Sequence, residues 1–201
     1  VAGFIINLLQ RAGVASKRLS EILELGPEIL DDPRGITPNL ISGKISIECL
    51  TYRYPDAKQD VLNDVSIEIQ PGEIVAIMGR VGSGKTTLLN QIVRLIDPKP
   101  GSVKIDYFDV AAYPLAQLRS QVALVPQAPF LFGEPLQDNI TYDDPNRSLD
   151  MIWAAADSAD LKDTIESFPD QLDTLVGERG VTLSGGQKQR TTLARGLIRN
   201  A

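Results

Sequence analysis

Apolar positions recur at helical spacing near the start of the chain. Phe4, Ile5, Leu8, Leu9, Ala12, Ala15, Leu19, Ile22 and Leu23 form a stripe that predicts a helix over residues 4–25. Gly26-Pro27 ends it, because Gly terminates a helix readily and Pro cannot continue one. Residues 26–43 lose all periodicity and hold Pro27, Pro33, Pro38 and Asp31-Asp32, which reads as a linker and a domain boundary. The period then becomes two. Ile45-Ser46-Ile47-Glu48 and Val65-Ser66-Ile67-Glu68-Ile69 alternate as strands with one face in the core. After the Pro71-Gly72 turn, Ile74-Val75-Ala76-Ile77-Met78 is almost continuously apolar, the pattern of a strand buried on both faces. A helical pattern follows over 86–95, a strand over 102–106, a short helix over 115–121 and a second buried strand over 122–125. From 129 to 169 only helical patterns occur, notably 148–159 and 161–167, so a helical insertion interrupts an α/β core.

Composition narrows the picture little. Hydrophobic content of 43% and charged content of 23% are ordinary for a globular protein. The net charge of −6 argues against wrapping nucleic acid, whose binders present basic surfaces. The single cysteine, Cys49, rules out an intrachain disulfide and a Cys-rich metal site, and its alternating neighbours predict a small core or half-buried side chain. With no histidine, any imidazole chemistry must come from outside these residues. Residues 1–9 are strongly apolar but short of the about 20 residues that span a bilayer. Arg11, Lys17 and Arg18 lie just beyond them, as positive charge does on the cytoplasmic side of a membrane segment. Residues 1–9 therefore read as the last turns of a membrane helix. The competing reading is an amphipathic helix packed on its own domain.

Two stretches carry chemistry. Gly79-Arg80-Val81-Gly82-Ser83-Gly84-Lys85-Thr86 is a complete G-x-x-x-x-G-K-[ST] loop between an apolar run and a helical pattern. Gly79, Gly82 and Gly84 let the backbone curl so that successive N–H groups converge on one anion, at the positive end of the helix that follows. Lys85 would reach the β- and γ-phosphates, the Thr86 hydroxyl would ligate Mg²⁺, and Thr87 could bond the α-phosphate. About a hundred residues later, Leu183-Ser184-Gly185-Gly186-Gln187-Lys188-Gln189-Arg190 offers a second helix start, with Ser184 as N-cap and the bare backbone of Gly185 and Gly186 as donors.

In this order and spacing, the two stretches resemble the ATPase cassette of the ABC transporters. The resemblance covers the chain from Lys44 onward, and more loosely residues 1–26. It implies an α/β P-loop NTPase core, with a mixed sheet and an antiparallel β subdomain, plus a helical signature subdomain over about 129–195. It implies ATP and Mg²⁺ as cofactors and adenine stacked on Tyr54, with Tyr52 facing the core. Gln127 would touch the Mg²⁺ and the attacking water and begin the loop that faces the membrane domain. Ser184, Gly185, Gly186 and Gln187 would hold the γ-phosphate bound by a facing subunit, so that hydrolysis needs a second half-transporter, identical or not. Val176-Gly177-Glu178-Arg179-Gly180 resembles an exporter-type segment, with Glu178 near the partner's membrane domain. The domain plan implied is the end of a transmembrane helix over 1–25, a linker over 26–43 and a nucleotide-binding domain over 44–201, at the cytoplasmic face of the cell membrane and in contact with its lipid. The function implied is ATP-driven export, and no nucleic acid is expected as a partner. The alternatives are a soluble ABC-type ATPase acting on nucleic acid or ribosomes, and a nucleotide-binding fragment without turnover.

Two departures from the family pattern stand out. Tyr107 follows Asp106 where many relatives have Gly, which predicts a different turn or some strain. The strand ending in the Mg²⁺ aspartate, the catalytic Glu and the switch histidine are expected after Ala201, so the C-terminal part of the core is missing. Its loss is expected to expose apolar surface and strand edges and to leave residues 1–201 unable to hydrolyse ATP.

Overall fold

The computed structural model describes residues 2–33, 35–36, 40–177, 180, 182–199 and 201. In chain order these form helix α1 (Ala2–Leu23), strands β1 (Ile45–Tyr52) and β2 (Leu62–Ile69), helix α2 (Lys85–Ile92), strands β3 (Val103–Ile105) and β4 (Phe108–Asp109), and helices α3 (Leu115–Gln121), α4 (Leu136–Ile140), α5 (Leu149–Ser158), α6 (Lys162–Glu166) and α7 (Gly185–Leu197).

The alternating runs become one antiparallel sheet in the order β2-β1-β3-β4. Ile45 pairs with Ile69 on one side and Ile105 on the other, and Ile47 with Ile67 and Val103, so the apolar positions share one face. Against that face lie Leu88 and Ile92 of α2 and Leu118 of α3, which with Leu50, Leu62, Val110 and Tyr113 form the first hydrophobic cluster. Between Ile47 and Leu50 the register slips through a bulge. There Cys49 takes φ 45° and is exposed, not half-buried as its neighbours suggest, because the extra residue interrupts the in-out alternation. The β3–β4 connection resolves the Asp106-Tyr107 departure. Both residues have positive φ, 48° and 75°, the type I′ geometry that suits a two-residue hairpin.

A second cluster draws only on residues between Leu131 and Ile198. Ile140, Ile152, Ala155 and Ala156 pack with Leu161, Ile165, Leu183 and Ala194 to join α4–α7. Ser148 caps α5 by accepting from the Met151 N–H. Buried Asn139 stitches the turn before α4. Its amide donates to the carbonyls of Phe132, Glu134 and Pro135, and its Oδ1 accepts from the Phe132 N–H and from Arg195 of α7.

Residues 74–78 and 122–125 differ from the buried strands their apolarity predicts. Neither joins a ladder among the described residues, and Ile74 and Met78 are 99% and 89% exposed. An apolar run becomes an interior strand only when strands lie along both its edges. These two have no laddered neighbour, so apolar surface lies open beside them.

The described residues between 26 and 43 form no helix or strand, yet they are not a free tether. The Arg94 guanidinium donates to the Leu30 carbonyl, the Leu115 N–H to Asp31, the Ile36 N–H to the Ala112 carbonyl and the Ile41 N–H to Gln121. Asp106 then accepts from the Ser42 hydroxyl and from the N–H groups of Ser42, Gly43 and Lys44. Burial raises the pKa of this carboxyl, and the bonds from Ser42, Lys44 and Gly43 lower it by more, so it sits below the usual range. The segment is a strap fastened along the domain.

Candidate functional site

The phosphate loop lies between residue 78 and α2, and its backbone is what the motif requires. Gly82 has φ 82°, and Gly84, the residue before α2, has φ 87°, a conformation that costs an L side chain energy. The Ser83 N–H donates to the Arg80 carbonyl and closes the turn, and the Leu88 N–H donates to Gly84 to start the helix. The Lys85 ammonium folds back, donating to the carbonyls of Gly79 and Arg80 at 2.8 Å each. The cation is thus fixed over the loop at the positive end of an eight-residue helix.

Around this loop is a hollow of about 520 Å³ lined by Tyr54, Val61, Val81, Gly82, Ser83, Gly84, Lys85, Thr86, Thr87 and Gln127. The candidates from positions 54, 81–87 and 127 therefore meet in one place, and Gly79 and Arg80 contribute the carbonyls that hold Lys85. Tyr54 stands at the wall, its hydroxyl 3.1 Å from the Thr87 hydroxyl and its ring edge-on to Tyr52 at 5.0 Å. Tyr52 packs against the sheet cluster, leaving Tyr54, 39% exposed, as the ring that faces the hollow. Val61 is the lining residue that sequence reasoning missed. Its N–H donates to the Tyr52 carbonyl, which brings its own carbonyl over Gly84. No local motif marks it, since its place depends on the β1–β2 pairing.

Thr86 and Gln127 also line an adjoining apolar groove of about 630 Å³ between the unladdered runs. Among the described residues there is no cluster of three or more carboxylate, cysteine or histidine side chains. The oxygen donors at the loop are hydroxyl and amide, hard ligands compatible with an Mg²⁺ ion held chiefly by the oxygens of a polyphosphate and by water.

The second stretch is a capped helix start exposed to solvent. Ser184 caps α7: its hydroxyl accepts from the Gln187 N–H, and the Gln187 side chain accepts from the Ser184 N–H, a complete capping box. Gln187 is thereby occupied in shaping the helix end, while Ser184, Gly185 and Gly186 are exposed. None of these four residues lines the hollow around Lys85. Glu178 lies outside the described residues.

Comparison with known proteins agrees with this geometry. The family model described as ABC transporter matches residues 62–201. The ATP-dependent lipid A-core flippase of Aromatoleum aromaticum is 40% identical over 199 residues, spanning 97% of the chain and 32% of the flippase. The uncharacterized ABC transporter ATP-binding protein YfiB of Bacillus subtilis is 40% identical over 196 residues, spanning 98% of the chain and 34% of that protein. A solved bacterial Atm1-family ABC exporter with ATP bound superposes with a TM-score of 0.87 at 31% identity, covering 98% of the chain and 35% of the exporter. The chain thus spans about a third of the length of these relatives.

Proposed function

Because the chain belongs to the ABC transporter family, we propose that it is the ATP-binding region of an exporter, coupling ATP binding and hydrolysis to movement of a substrate across a membrane. The observation that carries this is the hollow in which Lys85, Thr86, Thr87, Gln127 and Tyr54 meet around the glycine-bent loop. Lys85 and the loop N–H groups would stabilise charge on the β- and γ-phosphates, Tyr54 would stack the base, and Thr86 with Gln127 would complete the shell of a phosphate-bound Mg²⁺. Ser184, Gly185 and Gly186 are exposed and do not line that hollow. The N–H groups of Gly185 and Gly186, with the Ser184 hydroxyl, would suit the γ-phosphate of a second, facing copy or close relative. Glu178 and Gln127 would meet the membrane domain.

Among the described residues no helix is long and apolar enough to cross a membrane. Phe4, Ile5, Leu8 and Leu9 of α1 are nonetheless 49% or more exposed. We read α1 as the lower turns of a longer membrane helix followed by the strap, with the nucleotide domain beneath it at the cytoplasmic face. The residues lining the hollow include no carboxylate, and the expectation for residues 1–201 alone is ATP binding that is weak at best, with negligible turnover.

The test is titration of a fluorescent ATP analogue into the chain. Binding should weaken at least tenfold in Lys85→Ala, the loss of one charge-assisted phosphate contact of about 1.5–3 kcal/mol. Equal affinity in Lys85→Ala, or turnover by residues 1–201 that Lys85→Ala abolishes, would overturn the respective halves of the reading.

A further inference from the structure

Three guanidinium groups form a continuous chain from the strap, past the end of α2 and α3, to the end of α7. Arg94 follows α2 and is 2% exposed. It donates to the Leu30 carbonyl of the strap at 3.1 Å and pairs with Asp97 at 2.8 Å. The carbonyl of Arg94 accepts in turn from Arg119 of α3 at 2.7 Å. The carbonyl of Arg119 accepts from Arg199, just past the end of α7. Arg199 also pairs with Asp143 at 3.3 Å, and Asp143 with Arg147 at 2.9 Å. The planar fork of each arginine fixes direction as well as distance. Strap, phosphate-loop helix, α3 and signature helix are thus linked in series, across the boundary between the two hydrophobic clusters. The crossing is tight, because a Cβ on Gly196 of α7 would lie 2.5 Å from Val125.

We propose that Arg94, Arg119 and Arg199 are positioning residues that set the angle of the signature helix against the phosphate loop and tie that angle to the strap. Arg94 lies nine residues beyond Lys85 and Arg199 fifteen beyond Ser184, so the chain of bonds acts at the far ends of both helices. At 1.5 Å per residue, Ser184 stands about 22 Å from Arg199, and a 5° rotation about that end moves it about 2 Å. A displacement of that size takes a donor out of hydrogen-bond range of a phosphate oxygen. It leaves the hollow around Lys85 intact, so the effect falls on turnover and not on affinity for ATP.

This rests on the exporter reading, and the test keeps the two apart. In the full-length protein in lipid nanodiscs, steady-state ATPase is measured for the parent, Lys85→Ala, Arg119→Met, Arg199→Met and the double variant. The expected result is that each arginine variant lowers kcat about fivefold with KM for ATP unchanged within about twofold, the size of effect that coupling residues show. The double variant should be no slower than the worse single, because breaking either link releases the same helix. Arg119→Lys, which keeps a donor toward the Arg94 carbonyl, should retain at least half of kcat, separating positioning from loss of fold. Unchanged kcat in both Met variants, or losses that multiply in the double, overturns the proposal while leaving the exporter reading standing. A parent without ATPase, or a Lys85→Ala protein with full ATPase, sinks the exporter reading and this proposal with it.

Discussion

Replacing Gly84 by Ala tests the geometry of the phosphate loop with one methyl group. Gly84 sits at φ 87°, and a Cβ there would lie 2.8 Å from the Val61 carbonyl oxygen and 2.8 Å from Leu62 Cδ2. The backbone conformation alone costs a side chain about 1–2 kcal/mol. The contact adds about 1–3 kcal/mol, because a carbonyl in the wall cannot swing away as a side-chain tip does. The sum, about 2–5 kcal/mol, corresponds to roughly 4–20 °C in a chain of this size, at about 2–4 °C per kcal/mol. Gly82→Ala is the internal control. Its φ is 82°, but no atom lies within 4 Å of the added methyl, so only the conformational part applies, about 1–2 kcal/mol. Thermal unfolding followed by circular dichroism, with nucleotide titration on the same samples, separates the two. Gly84→Ala should melt several degrees below Gly82→Ala and bind nucleotide more weakly, since the Val61 wall must retreat. If Gly84→Ala melts at or above Gly82→Ala, the close approach of Val61 to the loop is wrong, and with it the shape of the hollow.

Other consequences can be measured on the same chain. Asn139→Ala should lower stability by about 2–3 kcal/mol, by stranding buried carbonyls and the Phe132 N–H, read as a urea midpoint lower by roughly 1 M. The pKa of Tyr113 is pushed up by burial to about 12, and its hydroxyl donates to the Ile105 carbonyl at 2.7 Å. The unfolded chain releases this proton near its ordinary value of about 10 while the folded one keeps it. Stability is therefore full below about pH 10 and falls toward pH 12, by up to about 1.4 kcal/mol per pH unit. Tyr113→Phe should flatten that slope, and an unchanged slope would reject the assignment. Asp106→Asn keeps a residue that tolerates positive φ but turns one carboxylate oxygen into a donor facing the Ser42 N–H. Amide exchange at Ser42, Gly43 and Lys44 should quicken, with the α2 amides unchanged.

The parts legible in the sequence are those whose chemistry is contiguous. The residues from Gly79 to Thr87 adopt their bend from their own glycines, and Ser184 and Gln187 cap each other three residues apart, so a string suffices to find both. Strands β1 and β2 and helices α3 and α5 follow from period alone. What escaped depends on partners far along the chain. Cys49 is turned outward by a bulge that alternation does not encode. Residues 74–78 announce an interior strand but not the neighbour that would cover it. Val61 reaches the hollow only through β1–β2 pairing. The composition of 26–43 advertises a loose connector, because prolines and acids say nothing of carbonyls that Arg94, 64 residues beyond Leu30, will hold.

That last feature bears on how such proteins can be recombined. A chimera that joins one relative's helix to another's cassette has an obvious crossover at Gly43, two residues before β1 begins. The fastenings at Leu30, Asp31, Ile36, Ile41 and Ser42 belong to the cassette, so a graft cut there would arrive without its own clasps and inherit a foreign set. The serviceable seam is upstream, between the end of α1 at Leu23 and the first clasp at Leu30.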